Sequence, residues 1–293
     1  MYTIVDLKLI SITLISFGSY FFGVLPNILG LGGNVEDSTP ISMVLCFGGG
    51  VLFSTSIIHI LPDIRKDLSE CSEIVFCSGY LLMYLIDVAI TTLKSDVSRE
   101  VSSEAQPINT ENSKTYGTSS IETNSPCDDI QSEEPYVQTS SNGKFKDVSL
   151  LFAFSLHSLL EGLVIGVETT KSGVILLLAA ICSHKLLVAF CLGAELSSGG
   201  KPLYAIIPSL SVFVIGSSVG IGLGIFLDLH DSPFIATLSP VLQGLAGGTL
   251  LYVVVTEILP RERAKNLPKY SSILQYISLC CGFASMTVLT IFT

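Results

Sequence analysis

Eight long apolar runs constrain this chain more than any other feature. They cover about residues 9–25, 41–61, 74–93, 148–167, 174–194, 203–227, 234–259 and 271–292. About 20 apolar residues carry an α-helix across the hydrocarbon core of a bilayer. Backbone polar groups at that depth must be satisfied inside the segment or around a closed barrel. Runs of this length therefore predict an all-α integral membrane protein with eight transmembrane helices. The charge content agrees: 14% of the residues are Asp, Glu, Lys or Arg, against about 25% in soluble domains. A water-soluble enzyme is all but excluded. So is a nucleic-acid binder, because the net charge is -10 and no basic cluster stands ready to hold phosphates.

The first run is the shortest. Its flanking charges, Asp6 and Lys8, balance, and Pro26-Asn27 follows it where a signal peptide would carry small residues. It reads as a retained helix. Loops after odd-numbered helices hold ten of the fifteen Lys and Arg residues, the opposite side four, and Lys185 lies inside a helix. The positive-inside rule then places both termini outside.

Residues 95–146 form the one long loop, between helices three and four, and the bias makes it cytoplasmic. Sixteen of its 52 positions are Ser or Thr, and nine acids against four bases give it a net charge of -5. Such a stretch cannot bury enough apolar surface to fold alone. The chain is thus one domain overall, with helices 1–3 in residues 1–94, a disordered cytoplasmic segment in 95–146, and helices 4–8 in 147–293. Six of the eight Cys fall within apolar runs and behave as small hydrophobes, so they form no disulfide framework.

Two internal matches organise the helices. Gly49-Gly50 through His59-Ile-Leu-Pro62 in helix two aligns with Gly247-Gly248 through Glu257-Ile-Leu-Pro260 in helix seven, at an offset of 198. His157-Ser-Leu-Leu-Glu161 with Gly166 and Glu168 in helix four aligns with His184-Lys-Leu-Leu-Val188 with Gly193 and Glu195 in helix five, at an offset of 27. Both pairs run antiparallel. The arrangement predicts inverted repeats, helices 1–3 against 6–8 with helices 4 and 5 central, which mark alternating-access carriers with a midplane site.

His157 and His184 fall at the middle of their runs, and Glu161 lies one turn beyond His157 on the same face. Ionisable groups at that depth face a cavity or each other and mark function. Two imidazoles and a carboxylate, with the Ser158 hydroxyl nearby, suit Zn²⁺ and neighbouring divalent transition metals. Interhelical hydrogen bonding by His and Ser is the competing explanation, but a carboxylate and an ammonium are a costly glue. Val188 stands where a second bridging carboxylate would be, and Lys185 brings positive charge there. One metal rather than two is expected, with Lys185 paired to Glu161 or another acid. His59 sits near the outer mouth with Asp63 beyond it, and Glu257 near the inner mouth. For Asp63 an ordinary interfacial role is equally open. Glu168 and Glu195 read as solvated helix ends, and Asp87 in helix three has no evident partner.

These motifs, His157-Ser158-Leu-Leu-Glu161-Gly162, His184-Lys185-Leu-Leu-Val188, Gly49-Gly50 to Pro62 and Gln243-Gly244 to Pro260, resemble the ZIP (Zrt/Irt-like) family of divalent metal transporters. The His-Lys pair in helix five resembles the branch of animal plasma-membrane zinc importers. The resemblance implies an eight-helix bundle, often homodimeric, that moves Zn²⁺ into the cytosol as substrate with no tightly bound cofactor. It implies metal ligands at His157, Ser158, Glu161 and His184, with His59 in the pathway. Two departures stand out. Residues 95–146 contain no His, where many relatives carry a His-rich run, and Ser218 replaces a usual Pro in helix six. An intramembrane zinc hydrolase is the rival reading, since three ligands and an activated water would suffice. The mismatch in depth between His59 and the central His pair weighs against it. Residue chemistry alone does not rank Zn²⁺ against Fe²⁺, Mn²⁺ or Cd²⁺.

Overall fold

The structure is a computed structural model that describes residues 3–30, 39–104, 142–197, 201–228, 235–265 and 267–292. Among the described residues all regular structure is helical. The helices are α1 (Ile4–Ile28), α2 (Thr39–Ser54), α3 (Leu61–Leu68), α4 (Ser72–Glu104), α5 (Asn142–Val167), α6 (Lys171–Ser197), α7 (Leu203–Asp228), α8 (Ile235–Tyr252), α9 (Leu259–Arg263) and α10 (Lys269–Phe292). Seven stretches are long and apolar enough to cross a membrane, one of them the 54-residue stretch Thr39–Thr92. Helices α4 and α5 cover both margins of the 95–146 segment. Cys127 and most of the Ser/Thr-rich sequence lie outside the described residues.

Two π-helical turns interrupt otherwise continuous rods. Thr55–Ile60 joins α2 to α3, and Val253–Ile258 joins α8 to α9. Each precedes a Leu-Pro step, Leu61-Pro62 or Leu259-Pro260. Proline lacks the N–H of the helical ladder and its ring crowds the carbonyl four residues back. A wide turn just before it relieves that conflict, with Leu61 N–H donating to Ser56 O and Leu259 N–H to Val254 O, five residues back. His59 and Glu257 both sit in these turns. Between α3 and α4 the chain reverses at Ser69, whose φ is 48°.

The closest packing divides the described helices into two sets. Helices α1, α5, α6 and α7 form one, through α5 on α7 and α1 on α6 and α7. The other comprises α2–α3, α4, α8–α9 and α10, through α2 on α10 and α4 on α8. Inside each set, glycines let backbone meet backbone. A Cβ at Gly50 would strike the Leu279 carbonyl and one at Gly282 the Phe47 carbonyl. The α8–α4 crossing is built alike: Gly248 lies against the Phe76 carbonyl and Gly79 against that of Leu245. Between the sets, α5 meets α8 and α6 meets α2 largely through side chains, as where Gly48 faces the Cys191 sulfur.

The burial pattern is that of a protein in lipid. Phe17, Leu176 and Ile273 are each more than 60% exposed, whereas Lys8, His157, Glu161, His184 and Lys185 are at most 5% exposed. Apolar surface faces outward and charge faces inward because lipid tails cannot solvate a charge, which finds partners only inside the bundle. Lys8 illustrates a pairing that the sequence reading missed. Its Nζ donates to Asp228 Oδ2 at 2.8 Å and to the Gly166 carbonyl at 2.7 Å, tying α1, α5 and α7 together at one end. The hint was a lysine embedded in a helix whose other partners are apolar.

Candidate metal centre

The i, i+4 spacing on α5 sets His157 and Glu161 on one face, and α6 brings His184 to the same point. His157 Nε2 lies 3.1 Å from Glu161 Oε1, and His184 Nε2 lies 2.6 Å from the same oxygen. The ligand atoms of all three lie within 4.8 Å of one another, and all three residues are buried. Zinc bonds of about 2.0–2.2 Å at tetrahedral angles hold ligand atoms about 3.3 Å apart, so the Glu161 oxygen would draw back slightly from both imidazoles to admit an ion.

Backbone carbonyls orient both imidazoles. His157 Nδ1 lies 3.0 Å from the Ala246 carbonyl and His184 Nδ1 lies 3.0 Å from the Ala180 carbonyl. A carbonyl only accepts, so each Nδ1 carries the proton, and each Nε2 turns toward Glu161. This is the outer support that fixes a metal-ligating histidine. His157 Nε2 is buried without an aligned hydrogen bond of its own, an unmet need that a metal ion would satisfy. The 2.6 Å contact of His184 Nε2 with Glu161 holds one proton between the two atoms, which a bound metal would replace.

The second carboxylate oxygen is spoken for. Lys185 Nζ donates to Glu161 Oε2 at 2.8 Å and to Ser158 Oγ at 2.8 Å, and lies 5.1 Å from the centre of the Phe213 ring. Ser158 Oγ also meets Ser217 Oγ at 2.6 Å and the Phe213 carbonyl at 3.1 Å. The expected ion pair between Lys185 and Glu161 is present, and the Ser158 hydroxyl works within that network. Ser217 joins it from α7. With Ser209, Ser211 and Ser218 on the same helix, the sequence alone does not single out Ser217.

His59 stands apart from the three-residue cluster, on the route to it. A cavity of about 530 Å³ is lined by His59, Asp63, Lys66, Ala180, Ser183 and Gln243, among others. A smaller one of about 30 Å³, enough for a water molecule, shares His59, Ala180 and Gln243 and reaches Glu161 and His184. Asp63 pairs with exposed Lys66 at 2.8 Å. Glu257 is on the other side of the molecule, with its Oε2 3.0 Å from Arg261 Nη2. Two sequence readings need correction. Glu195 is an ion-pair partner of Arg261, at 3.0 Å, with its side chain 19% exposed, because the guanidinium reaches it from α9. Asp87 is not isolated, since it interacts with Tyr252 where α4 packs on α8.

The comparisons with known proteins follow this geometry. The zinc transporter ZIP1 of Danio rerio is 28% identical over 289 residues, covering 92% of each chain. The zinc transporter ZIP3 of Homo sapiens is 27% identical over 269 residues, covering 83% of each. The zinc transporter ZIP2 of Mus musculus is 36% identical over 161 residues, 54% of this chain and 51% of its own. The profile of the family described as ZIP Zinc transporter matches residues 5–290. With a match over nearly its whole length, the chain belongs to the ZIP zinc transporter family.

Proposed function

We propose that this protein carries divalent metal ions, zinc foremost, into the cytosol through one midplane site formed by His157, Glu161 and His184. The observation that carries the reading is the convergence of two carbonyl-oriented imidazoles on a single buried Glu161 oxygen. Family membership and relatives named zinc transporters support zinc as the cargo. His59 receives the ion in the vestibule, Asp63 draws cations to its mouth, and Glu257 lies on the exit side. Ser158 assists by holding Lys185. The zinc ion is substrate, and the chain works as a carrier rather than an enzyme, with no tightly bound cofactor.

The site takes one ion. Lys185 already supplies a positive charge to Glu161 Oε2, where a second metal would need that oxygen. Relatives named zinc transporters, and the match to the family described as ZIP Zinc transporter, give the intramembrane hydrolase no support.

The bundle crosses the membrane eight times. Thr39–Thr92 has 54 residues, about 80 Å of helix at 1.5 Å per residue, more than twice a hydrocarbon core of about 30 Å. The reversal at Ser69 supplies the turn between two crossings. Inverted repeats are supported residue by residue. The π turn Thr55–Ile60 plus 198 is Val253–Ile258. Phe47 and Gly50 plus 198 are Leu245 and Gly248, while Leu279 and Gly282 less 203 are Phe76 and Gly79, so one glycine crossing maps onto the other. Likewise the contact of Gly166 with the Ile221 carbonyl maps onto that of Gly193 with the Gly23 carbonyl, at plus 27 and minus 198.

The Lys and Arg bias supports external termini and a cytoplasmic 95–146 segment in a multi-pass protein of the plasma membrane. A homodimer would follow the habit of the family. The test is radioactive zinc uptake into liposomes holding the purified protein, with Fe²⁺, Mn²⁺ and Cd²⁺ as competitors. Saturable zinc entry that collapses in His184→Ala is expected, whereas equal flux through both proteins overturns the site.

A further inference from the structure

Arg261 joins the two helix sets at the end of the molecule away from the vestibule. Its Nη1 lies 3.0 Å from Glu195 Oε1 on α6, and its Nη2 lies 3.0 Å from Glu257 Oε2, four residues earlier on its own rod. Ala180 and Ser183 of α6 line the vestibule. Glu195 is twelve residues past Ser183, about 18 Å further along the helix axis. Between the two ends the seam is filled by Phe154, Val188, Leu192 and Val254. Beside Arg261 there remains a cavity of only about 20 Å³, lined also by Cys191, Glu195 and Glu262. The metal centre therefore opens toward His59 and is sealed toward Arg261.

We propose that Arg261 and Glu195 are the inner latch of the carrier, an ion pair across the seam whose opening unseals the inner mouth. This rests on the transport reading above. The backbone-to-backbone glycine crossings described above pair α2 with α10, α4 with α8, α5 with α7 and α1 with α6, and none of them spans the seam, so the seam is free of such interlocks and is where the helices can slide. Polar links across that seam among the described residues include His157 to the Ala246 carbonyl and the Thr249 hydroxyl, at the candidate metal centre, and Arg261 to Glu195. Arg261 and Glu195 belong to different sets, so displacement of α6 along α9 parts them. Their side chains are less than one-fifth exposed, and a planar guanidinium holds carboxylates in a directional fork, so the contact favours discrete made and broken states. Glu257 shares the guanidinium from the same rod. When Glu195 departs, Arg261 keeps Glu257 as its counter-ion, so the guanidinium is not left unpaired.

Cys191 is buried and lines the same small cavity as Arg261 and Glu195, so its reactivity reports the seal. The full chain in lipid nanodiscs, free of metal, is treated with a water-soluble maleimide, and labelling is read at the Cys191 peptide by mass spectrometry. Arg261→Ala and the isosteric Glu195→Gln should each raise the labelling rate by about fivefold or more, the scale of a typical coupling between sites. The double variant should add nothing beyond the larger single effect, since both remove one contact. Unchanged Cys191 labelling in Glu195→Gln, with the protein monodisperse, overturns the latch even if Arg261→Ala fails to fold. Additive effects overturn it as well, since they mean independent loosening. Zinc flux in liposomes is measured alongside. Wild-type flux with no labelling change removes the latch alone, and coupled labelling changes without any wild-type flux remove the transport reading alone.

Discussion

His184 Nε2 stands 2.6 Å from Glu161 Oε1, on the neighbouring helix and 23 residues away in sequence. His157 reaches that oxygen from the other side at 3.1 Å. One carboxylate oxygen thus holds the place between two imidazoles that a metal ion would take, and the protein need not reorganise its helices to exchange one for the other.

Removing one of these ligands should abolish transport without unfolding the bundle. His157→Ala and His184→Ala are each expected to lower zinc uptake into liposomes by more than about tenfold, given that losing even a supporting partner of a metal ligand costs about 10–100-fold. Melting temperatures of the two variants in detergent should stay close to wild type without metal.

Lys185 should matter most when the site is empty. Lys185→Met strips the partner from Glu161 Oε2 and leaves a buried carboxylate, a change that costs about 3–5 kcal/mol for a broken buried pair. Added zinc supplies the missing cation, so thermal unfolding should show a larger zinc-induced stabilisation in this variant than in wild type. Equal zinc shifts in the two proteins would mean that Lys185 and the metal do not share Glu161.

His59 should influence capture rather than the midplane site. It lines the vestibule and the narrow passage but lies outside the three-residue cluster. His59→Ala is expected to raise the apparent KM for zinc several-fold while one ion still binds per chain, as measured by uptake kinetics and metal analysis of the purified protein. A loss of stoichiometric binding would place His59 in the ligand set instead.

Glycine crossings should be the least tolerant positions in the bundle. A Cβ at Gly50 meets the Leu279 carbonyl, and one at Gly248 meets the Phe76 carbonyl. Gly50→Ala and Gly248→Ala should each destabilise by about 1–3 kcal/mol, the usual cost of overpacking. Gly222 faces open space, so Gly222→Ala should hold or raise the melting temperature, since alanine is the better helix former by about 0.5–1 kcal/mol.

Much of this protein was legible in one dimension. Apolar runs of spanning length predict helices because a bilayer leaves a segment few ways to satisfy its backbone. The His157–Glu161 pairing follows from helical periodicity within one segment. The 198-residue match survives in the sequence because the same glycines and the same Leu-Pro step serve the same crossing twice. Lys185 was expected to pair with Glu161 or another acid, and Glu161 is the acid it meets.

The tertiary structure alone decided how the helices are turned about their axes and which of their ends meet. Lys8 with Asp228, Asp87 with Tyr252 and Arg261 with Glu195 join residues on separate helices, and spacing along the chain carries no information about the rotation of one helix against another. Glu195 read as solvated for that reason, since a carboxylate at a helix end looks the same in sequence whether it faces water or a guanidinium. The division into two helix sets is of the same kind. It depends on which helix faces pack against which, a property of pairs of helices and not of any single one.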